Sequence, residues 1–120
     1  MKVNKFLARQ ALSFDGIKFH STAECKRYHV LKQRLDRKEI SDLRLQVKYL
    51  IVGNENSHRD SKAHYIADFV YVKNGVTVVE DVKNPVLAKQ EVTRLKHKLM
   101  KNVHNIDITY VCPRQVMTQE

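Results

Sequence analysis

The clearest pattern along the chain is an alternation of apolar and polar positions between residues 43 and 51. Leu43, Leu45, Val47, Tyr49 and Ile51 are apolar, and the residues between them are mostly polar. A period of two is typical of a β-strand with one buried face. This segment therefore predicts a strand that lies over a core.

Two further strands are predicted after a polar loop at residues 53–62. Residues 65–72 and 76–83 are rich in β-branched and aromatic side chains, and Asn74-Gly75 between them is a strong hairpin signal. The three strands are expected to form an antiparallel meander.

Helices are predicted on both sides of this meander, over residues 22–37 and 85–103. Asn84 and Pro85 favour an N-cap and a first helical position for the second helix. Its apolar positions fall at helical spacing and predict a buried stripe, which consists of Ala88, Val92, Leu95, Leu99 and Val103.

The two ends of the chain complete the predicted order. A last strand is expected over residues 106–111, and Asp15-Gly16 suggests a minor hairpin near the start. Residues after Pro113 are expected to be frayed. The main elements then follow the order α, β, β, β, α, β, which indicates an α/β fold.

Length and composition favour one compact domain over residues 1–120, with a core at about 14–111. The chain has 120 residues and 42% hydrophobic content, which suits a single core. Cys25 and Cys112 form no CxxC pair, so a reducing cytoplasm is expected. The first residues lack the apolar run of a signal peptide, and no run of roughly 18 apolar residues is present.

The positive net charge of the chain indicates a negatively charged partner. Lys and Arg number 22 against 13 Asp and Glu, which gives a net charge of +9. Such a balance is expected of a protein that binds a phosphate backbone. Ribosome-associated, membrane-surface and RNA-binding proteins share it, so charge alone leaves the partner open.

The predicted hairpin brings two aspartates together. A two-residue turn at Asn74-Gly75 sets Val70 opposite Val79 and Asp68 opposite Asp81. Like charges directly across a pair of strands are destabilising. A hard divalent cation compensates for them, because Mg²⁺ binds oxygen ligands and commonly uses one or two carboxylates.

Two charged neighbours are expected on opposite faces of this hairpin. Lys83 lies two residues beyond Asp81 and shares its face, where an ammonium can hold a water or stabilise charge on phosphate. Glu80 pairs with Phe69 on the other face and is excluded as a ligand. A bulge would shift this register, and ordinary strand-end charges forming surface pairs are the competing interpretation.

Glu24 is a third candidate carboxylate with two interpretations. It occupies the N3 position of a capping box that starts at Ser21. It also falls in the centre of the apolar stripe of Tyr28, Leu31 and Leu35. The two roles are compatible, since a capping glutamate on the packed face can also reach a metal directly or through water.

These residues resemble the PD-(D/E)xK nuclease superfamily. Tyr65-Ile66-Ala67-Asp68-Phe69 and Glu80-Asp81-Val82-Lys83 carry the motif, although Ala67 replaces its proline. With residues 19–24, these segments look like a phage-encoded family of unknown function and are similar to phage endonuclease I type Holliday-junction resolvases. In that phage family a glycine usually stands where Asn84 follows Lys83.

The resemblance implies a restriction-endonuclease-like αβββαβ core with a mixed central sheet flanked by helices. It further implies that Asp68 and Asp81 bind Mg²⁺ or Mn²⁺, with the Val82 carbonyl as a further ligand. Lys83 would position the attacking water, and Glu24 would complete the acidic cluster.

The resemblance therefore implies metal-dependent hydrolysis of DNA phosphodiester bonds, with branched or four-way-junction DNA in phage recombination or replication as a candidate substrate. Lys89 and Lys96 are candidate phosphate contacts, and Arg44 and Lys48 could extend a positive track. Related resolvases are usually dimers, so a homodimer is one expectation. The alternative is a non-catalytic DNA-binding or regulatory protein that retains the fold.

Overall fold

The computed structural model describes residues 11–117. Its helices and strands are β1 (Ala11–Leu12), β2 (Lys18–Phe19), α1 (Thr22–Asp36), β3 (Ser41–Val52), β4 (Ala63–Lys73), β5 (Val76–Val82), α2 (Pro85–Ala88), α3 (Glu91–His104) and β6 (Ile108–Val111). No helix in these residues is long and apolar enough to cross a bilayer. The predicted domain also includes residues 1–10 and 118–120, which lie outside the described range.

The fold is a mixed α/β structure built on a four-stranded sheet. The strands lie in the order β3-β4-β5-β6. β3, β4 and β5 are antiparallel neighbours, whereas β6 pairs in parallel with β5. A parallel neighbour needs a crossover connection, and here α2 and α3 supply it. The predicted order of elements and the mixed sheet are confirmed.

The β4–β5 hairpin has the predicted register. Its pairs run from Lys73 with Val76 to Phe69 with Glu80. Asn74 has φ 52° and Gly75 has φ 77°, the left-handed conformation that a tight two-residue hairpin turn requires at both positions. The minor hairpin near the start is also present, as β1 paired with β2.

The two faces of the sheet carry different cores. On one face α1 packs on the first core, which includes Tyr28, Leu31, Phe69 and Tyr71. On the other, α3 contributes Met100 to the second core, which includes Val70, Val79 and Ile108. Neighbours along a strand point to opposite faces, so Phe69 and Val70 belong to different cores.

The predicted second helix is wrong as a single element. α2 ends at Ala88, and Gln90, with φ −67° and ψ 150°, is the extended N-cap from which α3 starts again. No proline or glycine marks the break. Because the chain restarts its helix at Glu91, the orientation of α3 is set by its own packing and not by that of α2.

The predicted buried stripe of this helix is wrong for the same reason. Val92, Leu95 and Val103 are 62%, 56% and 53% exposed. The residues that contact the sheet side are Thr93, His97, Met100 and His104. Three of them, Thr93, Met100 and His104, lie one position after a residue of the predicted stripe, about 100° around the helix. Of the predicted stripe, Leu99 packs against the second core and Ala88 is half-buried.

The prediction of a frayed end after Pro113 is also wrong as far as Met117. Residues 113–115 form a short 3₁₀ turn, and Val116 is buried. The Val116 carbonyl accepts a hydrogen bond from Nη1 of Arg27 at 3.0 Å. A buried guanidinium needs acceptors for its N–H groups. The hydrogen bond from Arg27 to Val116 supplies one of them and holds this segment against α1.

Candidate metal and nucleic-acid site

Two aspartates meet at the open end of the β4–β5 hairpin. The last regular pair of the ladder is Phe69 with Glu80, and Asp68 and Asp81 follow directly. Both carboxyl groups line one cleft, and the charge of Asp68 acts on the Asp81 carboxyl. Asp68 also accepts the backbone N–H of Val82 at 2.9 Å. The predicted juxtaposition is therefore present, although the ladder itself has ended there.

The environment of Asp81 favours its protonated form. Asp81 is 6% exposed, and burial raises the pKa of its carboxyl to about 7, with the hydrogen bond and charge of Asp68 acting in the same direction. The charge of Lys83 opposes this shift. Two interacting carboxyls titrate as a pair, so a cation that binds them would compete with the proton that raises the pKa of Asp81.

Lys83 lies on the predicted side of the hairpin. Its Nζ is 3.3 Å from Oδ2 of Asp81. Its backbone N–H donates to the carbonyl of Val111 at 3.0 Å, which fixes the end of β5 against β6. The side chain is 29% exposed. The ammonium therefore bridges the buried acid and the solvent.

Glu24 lies in the capping box of α1 and also beside the aspartates, so the two interpretations of its position are compatible. Its backbone N–H donates to the hydroxyl of Ser21, the N-cap of α1, at 3.1 Å. Its side chain lines the same cleft as the aspartates. Burial raises the pKa of Glu24, and the charge of Asp68 raises it further. The first turn of α1 thus brings this acid to the rim of the pair.

The three acids do not converge at coordination distance. Within residues 11–117, no group of three His, Cys, Asp or Glu side chains is close enough to hold an ion by itself. The structure therefore assembles a pair, Asp68 and Asp81, with Glu24 facing it from across the cleft. A direct role for Glu24 as a ligand stays a prediction.

Glu80 lies on the opposite face, as predicted. It forms a bidentate ion pair with Arg27, with N–O distances of 2.7 and 2.6 Å, and accepts a hydrogen bond from the Tyr71 hydroxyl. Both partners of the ion pair are almost fully buried. This network ties α1 to the strand residue next to Asp81.

Gln46 contacts the site, although it is not among the site residues predicted from the sequence. Its Nε2 donates to Oδ1 of Asp68 at 3.2 Å, and its φ is 51°. The ladder skips this position, running from Leu45 with Phe69 to Val47 with Ala67. Its sequence signal is the same as that of any exposed polar residue in an alternating strand.

Tyr65 is a buried residue of β4 that lines the same cleft as the acids. The residue is 4% exposed, and the hydroxyl has no hydrogen-bond partner in the described part of the chain. Burial raises the pKa of Tyr65, and the neighbouring charge of Asp81 adds to this effect. The one signal in the sequence for this role is that a tyrosine, and not a phenylalanine, stands three residues before Asp68.

A cleft of about 450 Å³ opens over these groups. Its walls come from α1, β4, β5, the α2–α3 segment and β6. Of the predicted DNA contacts, Lys96 lines the cleft. Lys89, Arg44 and Lys48 are exposed and lie outside its lining. Arg44 also pairs with Asp42 at 3.6 Å.

Fold and geometry together define a mixed α/β protein with a paired-carboxylate centre beside a lysine. The chain belongs to the family described as "Protein of unknown function (DUF1064)", whose match covers residues 3–118. No curated protein and no solved structure matches the chain.

Proposed function

We propose that this protein is a metal-dependent DNA endonuclease of the PD-(D/E)xK type, which hydrolyses phosphodiester bonds. One observation carries the proposal: Asp68, Asp81 and Lys83 meet in an open cleft, on a chain with a net charge of +9. An acid pair of which one member, Asp81, is buried is costly in a protein that has no use for it.

The residues present fit a hard divalent cation. Mg²⁺ takes oxygen ligands and commonly uses one or two carboxylates, with water and substrate phosphate completing its shell. Asp68 and Asp81 supply such a pair, and Glu24 and the Val82 carbonyl are further candidate ligands of Mg²⁺ or Mn²⁺. The buried, unpartnered hydroxyl of Tyr65 supports a site that is completed by a ligand. When bound, the cation would supply Lewis-acid polarisation and a more acidic water.

The side chains of the chain have separate tasks in this proposal. Lys83 holds the attacking water or stabilises charge that develops on the phosphate. Water attacks the phosphorus atom, the bond to the 3′ oxygen breaks, and the products carry a 5′-phosphate and a 3′-hydroxyl. Asp68 keeps the acid-x-Lys segment in place through the Val82 N–H.

Basic residues around the cleft are proposed to hold the DNA backbone. Lys96 is placed to contact a phosphate next to the scissile one, because it lines the cleft. Lys89, Arg44 and Lys48 would act further out, where contacts to phosphate position the duplex without reading its sequence. Branched DNA, four-way junctions included, is the proposed substrate. A homodimer would allow two symmetric cuts, and the proposed location is the cytoplasm of a bacterial host that carries the phage or prophage.

Cleavage assays test the proposal directly. Labelled duplex, single-stranded, flapped and four-way-junction DNA are incubated with the protein and Mg²⁺ or Mn²⁺. Asp68→Asn, Asp81→Asn and Lys83→Ala are expected to lower the rate by on the order of 10²-fold or more. Asp60→Asn is the control, since Asp60 is an exposed aspartate in a loop.

The outcomes separate the candidate functions. Cleavage that the three site variants retain at the wild-type rate would contradict the assigned site. Tight DNA binding by the wild type, without cleavage of any substrate under either metal, would favour a non-catalytic DNA-binding or regulatory protein.

A further inference from the structure

We propose that the Tyr65 hydroxyl is a positioning group that donates a hydrogen bond to the Asp81 carboxylate when a divalent cation is bound. This inference rests on the proposed function, since it names a residue that prepares the same acid pair for its cation. It assigns a role to a hydroxyl that the fold alone does not use.

The placement of Tyr65 is unusual for its strand. Strict alternation along β4 would put Tyr65 on the face of Phe69, in the first core. It packs instead in the second core, with Val70 and Val79. The change of core coincides with the skipped Gln46–Asp68 position of the ladder, and it brings the phenol under the acid pair.

The Asp81 carboxylate is the candidate acceptor for the Tyr65 hydroxyl. Its oxygen is shielded from solvent and makes no well-formed hydrogen bond within residues 11–117. Among the neighbouring charges, that of Asp81 acts most strongly on this hydroxyl, and both residues line the same cleft. Because the oxygen is inaccessible to water, a mobile substrate group is a poorer candidate than the carboxylate that already faces it.

An unsatisfied buried hydroxyl has an energetic cost. Leaving such a donor without a partner destabilises the folded protein, and phenylalanine at position 65 would avoid this cost while keeping the ring. Asp68 and Asp81 would hold a bound cation through their carboxylate oxygens. Tyr65 is placed to hold Asp81 from behind, as outer hydrogen bonds hold metal ligands in general.

The experiment measures Mn²⁺ binding and stability instead of cleavage. Mn²⁺ is titrated into wild-type protein and Tyr65→Phe by calorimetry, and thermal unfolding is recorded without metal. Tyr65→Phe is expected to bind Mn²⁺ roughly tenfold to hundredfold more weakly. Its metal-free melting temperature is expected to equal or exceed that of the wild type, because no hydrogen bond is lost.

Tyr28→Phe is the matched control. Tyr28 is also 4% exposed, but its hydroxyl already donates to Asp15. This variant is expected to keep wild-type affinity for Mn²⁺ and to lose stability, the reverse of the result expected for Tyr65→Phe.

Three results would overturn the inference. Wild-type Mn²⁺ affinity in Tyr65→Phe would remove the positioning role and leave the proposed function standing. A metal-free Tyr65→Phe protein that is markedly less stable would show that the hydroxyl serves the fold. A wild-type protein that binds no Mn²⁺ would contradict both this inference and the proposed metal centre.

Discussion

The Asp68 carboxylate accepts the backbone N–H of Val82 at 2.9 Å. Regular pairing between β4 and β5 ends one position earlier, at Phe69 and Glu80, so a side chain replaces the next backbone acceptor. The same carboxylate adds to the effect of burial in raising the pKa of Asp81. Asp68 therefore both anchors the acid-x-Lys segment and sets the charge state of its partner.

Replacing Asp68 by asparagine should separate these two roles. The amide oxygen of Asn can still accept the Val82 N–H, but the negative charge is gone. We expect the pKa of Asp81 to fall in Asp68→Asn, because like charge no longer opposes its ionisation. Carbon-detected NMR titration of the Asp81 carboxyl measures this. An unchanged or higher pKa would show that the two carboxyls are not coupled.

Metal affinity and stability should depend on pH in opposite ways. The folded-state pKa of Asp81 is raised from 3.8 to about 7, so its stabilising effect is complete below pH 3.8 and is lost as the pH rises through 7. Between these values the metal-free protein should lose stability as the pH rises, and Asp81→Asn should remove that part of the slope. Chemical denaturation across this window measures it.

Mn²⁺ binding should strengthen over the same range. A cation that replaces one shared proton gains affinity by about tenfold per pH unit below pH 7. Calorimetric titrations in buffers of different ionisation enthalpy count the protons released. Affinity that stays flat from pH 5 to pH 8 would contradict a shared proton at the pair.

The Arg27–Glu80 ion pair should matter most when it is broken on one side. Both groups are buried, so Glu80→Gln leaves a buried guanidinium without its counter-charge. We expect a loss of about 3 to 5 kcal/mol in the free energy of unfolding. The double variant Arg27→Met with Glu80→Leu should recover part of that loss. Urea denaturation checks both, and an additive loss in the double variant would argue against coupling.

Two similar substitutions can test which face of α3 packs against the sheet. Met100 is fully buried, whereas Leu95 is 56% exposed. We expect Met100→Ala to destabilise the protein by about 2 to 5 kcal/mol, and Leu95→Ala to change stability by less than about 0.5 kcal/mol. A larger loss of stability for Leu95→Ala than for Met100→Ala in denaturation experiments would show that the apolar stripe predicted from the sequence is the buried face.

Lys96 should contribute one phosphate contact. Lys96→Ala is expected to weaken DNA binding on all sequences and to lower the salt slope of log K by about 1. Lys38→Asn is the control, because Lys38 lies near the Asn74-Gly75 turn at the far end of the hairpin, and asparagine tolerates its φ of 63°. Equal slopes for the wild type and Lys96→Ala would exclude this contact.

Local signals in the sequence determined the order of elements, the hairpin register and the juxtaposition of Asp68 and Asp81. Asn74-Gly75 specifies a two-residue turn, and a period of two then assigns a face to each nearby residue of the hairpin. The faces of Lys83 and Glu80 follow from that turn alone. These features depend on neighbours in the chain, which is why they could be predicted.

Only the tertiary structure decided which residues complete the site and how α3 packs. The break at Gln90 carries no local signal, and it turned the contact face of α3 away from the apolar stripe. The interruption opposite Gln46 moved Tyr65 to the core beneath the acids, against the alternation of its own strand. Both results come from long-range packing between elements, which a pattern read along one segment does not contain.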